Sequence, residues 1–381
     1  MSYKSIYLSG YYGVCNVGDD LLLKIIVDKL LSYNPDYKIS VTVNDKNNIS
    51  EDLRNKICCI PSPKLSVNKL KRILETIIHE IVLLNKHDIY IYGGGTRLFE
   101  TKKRTYQALL IKYLGLLFNK LFFGKKVIHL GNGIGYIEST LGKTLLKGIL
   151  NLSTRLYLRD SRSYEKALFY LKDKTKARES FDLSYLLYDD SDEEDANSLF
   201  KIGLSFFDYY GYLESDNGRR VKFRKQVETL IRRLSKIQNA EFYLFSFQKK
   251  YGGNDEEFNE QLLCYLEGVK IVHVRYETNP MLFFNQLNHM NFCIGMRYHF
   301  CLLSLINKKP CIGINYQPKV KAEYEDLGIP DYVIEIDELD SLDENIVKKS
   351  YNKYFIQHQL LKRKNKVKEH FEEVNIILSE E

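Results

Sequence analysis

Short apolar runs alternate with stretches of helical spacing along the whole chain, and no other feature limits its fold so strongly. In the first half the runs are "SIYLS" (5–9), "KISVTV" (38–43), "DIYIY" (88–92), "KVIHLG" (126–131) and "RLYLRD" (155–160). Helical patterns such as 19–32 and 67–84 lie between them. The second half repeats the scheme at 200–207, 241–247, 270–276, 292–296, 310–316 and 332–336, with a helical stretch at 222–237. Strand–helix alternation predicts parallel sheets with helices on both faces. An acidic run, "DDSDEED" (189–195), separates the halves and reads as a solvated linker. The expected architecture is therefore α/β, with two Rossmann-like doubly wound domains facing a cleft. They cover residues 1–190 and 191–345, and a helical tail (346–381) packs back on the first.

At 381 residues the chain has length enough for two or three domains. Its net charge of +7 favours anionic partners but falls short of a nucleic-acid binder. Seven scattered Cys with no CxxC pair exclude a disulfide framework or a zinc centre, so no metal is expected and a cytoplasmic location is. The start "MSYKSIYLSG" has no apolar signal region. The stretch 108–123 is too short and too charged to span a bilayer. With Lys102, Lys103, Arg104, Lys112, Lys120, Lys125 and Lys126 in or beside it, it suits peripheral contact with an anionic membrane surface.

Ligands of open parallel sheets bind beyond the carboxyl ends of the strands. The first strand runs into "GYYGVCNVGDD", where Asn16 and Asp19 suit neutral sugar hydroxyls, because two Asp at a helix start repel phosphate. "GGGT" (93–96) offers Gly94 and Gly95 for close backbone approach and Thr96 as a hydrogen-bonding group. "NGIG" (132–135) is a second glycine-lined strand end, with Gly133. Arg159 leaves its strand at the same edge, with Ser161 and Ser163 as helix-cap candidates. In "IGMRYHF" (294–300), Arg297 brings a fork of donors suited to carboxylate or phosphate, and His299 can exchange a proton near neutrality. Lys319 follows the next strand.

Taken together, "GYYGVCNVGDDLLL" (10–23), "YGGGTRLFE" (92–100), "GNGIG" (131–135), "RDSRSYEKAL" (159–168), "FDLSYLL" (181–187) and "IGMRYHFCLLSLINKKPCIGINYQPKV" (294–320) resemble the polysaccharide pyruvyl transferase family, collinearly from about residue 3 to 345. The resemblance implies a GT-B type fold and transfer of pyruvate from phosphoenolpyruvate onto a sugar as a ketal, with release of phosphate. It implies no nucleotide cofactor, and a nucleotide- or lipid-linked acceptor for cell-wall, capsule or exopolysaccharide synthesis, at the inner face of the cytoplasmic membrane. On its terms Arg159, His299 and Lys319 serve phosphoenolpyruvate binding and acid catalysis, Arg297 supports them, and the turn containing Tyr12, Asn16 and Asp19 faces the acceptor. The chain departs from the family at Phe207, where Arg is usual, and at Tyr136, where Pro is usual; Arg275 and Arg219 are candidate substitutes for the missing cation. Phe207 and its aromatic neighbours leave a GT-B glycosyltransferase using a nucleotide sugar as the alternative, with a non-catalytic binding subunit as a third.

Overall fold

The computed structural model describes residues 4–63, 67–100, 106–191, 199–213, 217–249, 254–349 and 353–380. The cations Lys102, Lys103 and Arg104 and most of the acidic run lie outside them. The chain divides into two compact units, neither of them continuous in sequence. Unit 1 comprises Met1–Gly13, Leu21–Leu186 and Arg363–Glu381; unit 2 comprises Val14–Asp20 and Leu187–Lys362.

Unit 1 is built on seven strands: β1 (Ser5–Tyr12), β2 (Lys38–Val43), β3 (Cys58–Pro61), β4 (Ile89–Leu98), β5 (Lys126–Ile134), β6 (Arg155–Leu158) and β7 (Ala177–Glu179). All pairings are parallel, in the order β3-β2-β1-β4-β5-β6-β7. The apolar runs predict the five inner strands. The edge strands β3 and β7 escape that reading because "CCIP" and "ARE" are short and mixed in polarity. A further difference is instructive. The glycines after Tyr92 look like a strand end, yet β4 continues to Leu98 with a register shift between Thr96 and Leu98. Gly94 and Gly95 take φ of 40° and 76°, values that L side chains rarely adopt, yet the ladder runs through them and slips only at Arg97. Gly95 pairs with Asn132 and Thr96 with Gly133 before the slip, and Leu98 with Ile134 after it.

Unit 2 carries β8 (Phe200–Ser205), β9 (Ala240–Ser246), β10 (Ile271–Arg275), β11 (Phe292–Gly295), β12 (Cys311–Asn315) and β13 (Val333–Glu335). Their order, β10-β9-β8-β11-β12-β13, repeats the unit 1 pattern. The strand order reverses between β1 and β4 in unit 1 and between β8 and β11 in unit 2. Such switch points open a crevice beyond the strand ends.

The stretch 108–123 forms the helix Gln107–Phe122. Lys112, counted from sequence among the membrane-facing cations, points instead into the core, because it falls on the helical face shared with Leu109 and Leu116. Lys125 and Lys126 face Asp88 and Glu380, while Lys120, Leu121 and Phe122 are exposed. Among the described residues no helix is long and apolar enough to cross a membrane, and no group of acidic, His and Cys residues could hold a metal ion. All seven cysteines are free thiols.

The helix Lys353–Ser379 closes unit 1 with its second half. Val367, Phe371, Val374 and Leu378 recur at helical spacing and are fully buried. Lys126 Nζ donates to the carbonyl of Ile377 at 3.1 Å, and Lys4 Nζ to that of Leu378, which satisfies last-turn carbonyls that have no intrahelical partner. His370 lies on the buried face of this helix, Nδ1 2.8 Å from Ser180 Oγ and its ring 4.9 Å from that of Tyr157. Burial, aided by Lys366, lowers its pKa from 6.5 to about 4. The unfolded chain therefore binds a proton, between pH 6.5 and about 4, that the folded chain refuses. Stability contributed by neutral His370 is complete above pH 6.5 and falls as the pH drops through that window. We expect urea unfolding on either side of the window to show this loss, and His370→Gln to flatten it.

Candidate active site

In unit 2 the β11 strand delivers Arg297 as the N-cap of the helix Tyr298–Ile306. Its guanidinium is directed at Asp255, which has no exposed surface. Nε lies 3.1 Å from Oδ2, and Nη2 bonds Oδ1. The same carboxylate accepts the backbone N–H of Phe247 at 3.0 Å and of Gln248 at 3.2 Å. The Arg297 guanidinium also lies 4.0 Å from the centre of the Phe207 ring, in cation–π range. Tyr316 packs on that ring at 4.8 Å. Burial works against the Arg297 charge, but Asp255 and Tyr316 outweigh it and hold its pKa above the usual guanidinium value. Arg297 is thus a tethered cation that fixes the strand-to-helix turn.

His299 sits in the first turn of that helix, half-buried. Its ring is wedged between two neighbours. Tyr298 meets it edge-on at 5.2 Å. On the other side is Gly18, where an added Cβ would fall 1.9 Å from His299 Nδ1. Tyr298 donates its hydroxyl to Glu323 at 2.8 Å, and its ring centre lies 5.7 Å from the Nζ of exposed Lys319. His299 and Lys319 are therefore joined through one aromatic ring. The helix N-terminus beneath adds partial positive charge.

The segment Val14–Asp20, which belongs to unit 2, supplies Gly18. Asn16 Oδ1 accepts the N–H of Gly18 at 3.0 Å and of Asp19 at 3.3 Å, which makes it the cap of the helix Val17–Tyr33. Its Nδ2 donates to Gln248 Oε1 at 3.3 Å. Val17 N and Lys249 N complete the zipper, donating to the carbonyls of Phe247 and Cys15 at 3.0 and 3.2 Å. Asp20 is buried and accepts the Tyr276 hydroxyl at 3.0 Å, while Asp19 is half-buried. Asn16 is thus occupied with holding the turn.

Unit 1 gathers a second group. Arg159 is nine-tenths buried, and its Nη2 donates to Thr96 Oγ1 at 2.8 Å. Asp160 and Asp182 lie 3.6 and 3.8 Å from the guanidinium. A Cβ on Gly133 would fall 2.9 Å from Arg159 Nε, so the glycine makes room for the arginine itself. Gly94 supports this corner from below, where a Cβ would fall 2.7 Å from Leu22 Cδ1 and where its carbonyl accepts Asn132 Nδ2 at 3.3 Å. Asp160, not Ser161 or Ser163, caps the helix Ser161–Tyr170, by accepting the Ser163 N–H at 2.7 Å. Tyr12 is a core residue with its ring over Gly10 and its hydroxyl close to Gly93.

Gly94, Gly95, Thr96, Gly133 and Arg159 thus come together in unit 1. Asn16, Asp19, Arg297, His299 and Lys319 belong to unit 2. Arg275 is held by Glu256 and Glu260 at 3.2 and 3.1 Å, and Arg219 is exposed on the helix Asn217–Leu234. Sequence reasoning missed Asp255, Tyr298 and Tyr316. Tyr298 lies inside the motif already singled out. Asp255 opens an ordinary acidic helix start, "NDEEF", and carries no local mark.

A family model described as polysaccharide pyruvyl transferase matches residues 16–318, well over half of the chain. No curated protein matches the chain. Among solved structures, UDP-GlcNAc 2-epimerase from Neisseria meningitidis, bound to UDP-GlcNAc, aligns with a TM-score of 0.61 and 12% identity over 99% of this chain and 100% of its own. A Listeria monocytogenes structure described as an epimerase of the same kind aligns at 0.60 and 10%, over 98% of each chain. The glycosyltransferase from Rickettsia africae aligns at 0.50 and 11%, over 96% and 99%. At such low identity the likeness bears on the fold, which is the two-domain parallel-sheet α/β fold of GT-B type.

Two substitutions test this geometry. Gly18→Ala forces a Cβ into the His299 ring and is expected to cost about 1–3 kcal/mol, with a displaced His299 resonance in histidine-labelled NMR spectra. Asp255→Ala leaves Arg297 buried without its counter-charge and is expected to cost about 3–5 kcal/mol in denaturant unfolding.

Proposed function

Because this chain belongs to the polysaccharide pyruvyl transferase family, we propose that it moves pyruvate from phosphoenolpyruvate onto two hydroxyls of a surface-glycan sugar. The observation that carries this reading is the family match, which takes in Asn16, Arg159, Arg297 and His299. The geometry of His299 supports it. A histidine pinned by Gly18 and Tyr298 at a helix N-terminus, with Lys319 across the same ring, suits proton delivery beside an anion.

In the proposed reaction His299 gives its proton to the methylene carbon of the donor. The adjoining carbon becomes oxocarbenium-like, and one sugar hydroxyl adds to it. A second hydroxyl forms the other C–O bond as the bond to phosphate breaks. Of the two hydroxyl protons, one restores His299 and the other leaves with phosphate. Lys319 offers positive charge to the donor, and Arg159 has the same role by its place in the motif. The reaction calls for no cofactor and no metal. An acceptor on a lipid or nucleotide carrier fits cell-wall, capsule or exopolysaccharide synthesis. A lipid carrier would bring the chain to the inner face of the cytoplasmic membrane, and exposed Lys120, Leu121 and Phe122 suit such contact.

Phe207 favours a second reading, a glycosyltransferase using a nucleotide sugar. It is buried on Arg297, and Tyr209 and Tyr316 extend the aromatic surface, with ring centres 6.1 and 4.8 Å from it. The test supplies phosphoenolpyruvate with a panel of lipid- and nucleotide-linked sugars and measures released phosphate. We expect release, reduced about 10²–10⁴-fold in His299→Ala. Folded protein that releases none across the panel, but is stabilised by a UDP, GDP or CMP sugar and not by phosphoenolpyruvate, establishes the second reading instead.

A further inference from the structure

Unit 1 holds another polar cluster, which meets the Arg159 corner at Asn132. Tyr92 on β4 and His129 on β5 pack with ring centres 4.7 Å apart. Lys112 enters from the helix Gln107–Phe122, with Nζ 4.3 Å from the centre of the Tyr92 ring. Arg97, further along β4, reaches Ser9 Oγ at 3.3 Å. Ser9 and Tyr92 pair across β1 and β4, the strands between which the order reverses. Ligands of parallel sheets bind in the crevice beyond the carboxyl ends of such strands, and Arg97 stands next to the last residue of β4.

Two buried nitrogens of this cluster have no hydrogen-bond partner among the described residues. His129 is fully buried, and its Nε2 has no hydrogen-bond partner among the described residues. Arg97 Nε is buried in the same condition. The Lys112 ammonium rests on the face of Tyr92. Glu80 is the carboxylate whose charge Lys112 feels, but its Oε1 already accepts the hydroxyls of Tyr90 and Tyr92 at 2.6 and 2.7 Å. Repulsion from Arg97 acts on Lys112 more strongly than attraction to Glu80. Burial first, then Arg97, lowers the Lys112 pKa to about 7; burial first, then Lys112, lowers that of His129 to about 3. Protein interiors do not keep charge and hydrogen-bonding capacity uncompensated without cost.

We infer that Lys112, Arg97 and His129 frame, on the face of Tyr92, a binding site for an oxyanion of the phosphate class. The hydrogen bonding of Asn132 supports the choice of anion. Its Nδ2 is spent on the Gly94 carbonyl, so its Oδ1 faces His129 Nδ1 at 2.9 Å. Nδ1 therefore carries the hydrogen, and Nε2 of the neutral ring is an acceptor. A phosphate monoanion or monoester has an O–H to offer Nε2 and further oxygens for Lys112 and Arg97. Sulfate has no O–H near neutral pH. This inference goes beyond the proposed transfer reaction and holds whether or not phosphoenolpyruvate is the donor.

The experiment titrates the full chain, labelled with ¹⁵N-histidine, against inorganic phosphate. We expect the His129 Nε2 resonance to shift and the thermal midpoint to rise. The shift is lost in Lys112→Met and diminished in Arg97→Gln, both checked for folding by circular dichroism. Parallel titrations with phosphoenolpyruvate and with UDP locate the source: whichever reproduces the His129 shift carries the phosphate that binds here. Sulfate is expected to move the resonance less. The inference is overturned if His129 is unmoved by all three phosphates, if folded Lys112→Met responds as fully as the unaltered chain, or if sulfate acts as strongly as phosphate.

Discussion

The buried Asp255–Arg297 pair is the interaction on which the geometry of unit 2 depends. One carboxylate with no exposed surface receives the guanidinium and two successive backbone amides. It thereby ties the end of β9 to the turn after β11, two places far apart in sequence. The amides belong to Phe247 and Gln248, whose other contacts hold the segment carrying Gly18. Gly18 in turn limits where the His299 ring can lie. An ion pair of this kind contributes little net stability when it is compared with apolar packing. Its worth here is positional, because it sets the histidine against one wall of fixed shape.

Glycine has an analogous use in both units. At Gly133 and Gly18 the absent side chain leaves space for a working group, the Arg159 guanidinium in one case and the His299 imidazole in the other. These glycines read in the sequence as turn residues or as room for a ligand. The structure assigns that room to the protein's own side chains.

Much of the fold was legible because buried parallel strands appear as predominantly apolar runs, as the inner strands of both sheets do. The edge strands "CCIP" and "ARE" do not, being short and mixed in polarity. Motif positions, including Arg159, Arg297, His299 and Lys319, were legible because they sit at the ends of those runs. Their partners were not. Asp255 lies 42 residues from Arg297, and Lys112 looks like one more surface cation until the helical phase of its neighbours turns it inward. Spacing along a chain specifies which face of an element a residue occupies. It does not specify what another element brings to meet it.

The closing helix bears on how the chain is made. Leu156, Tyr157 and Ser180 are fully buried in the finished fold, and the cover over Tyr157 and Ser180 includes Glu373 and His370. During synthesis every strand of both sheets precedes that helix. A growing chain therefore exposes this flank of its first sheet until the helix has been made, and the second sheet can form before the first is sealed. Order of synthesis and order of completion differ in this protein, which makes the nascent first unit a natural client for whatever shields apolar surface at the ribosome.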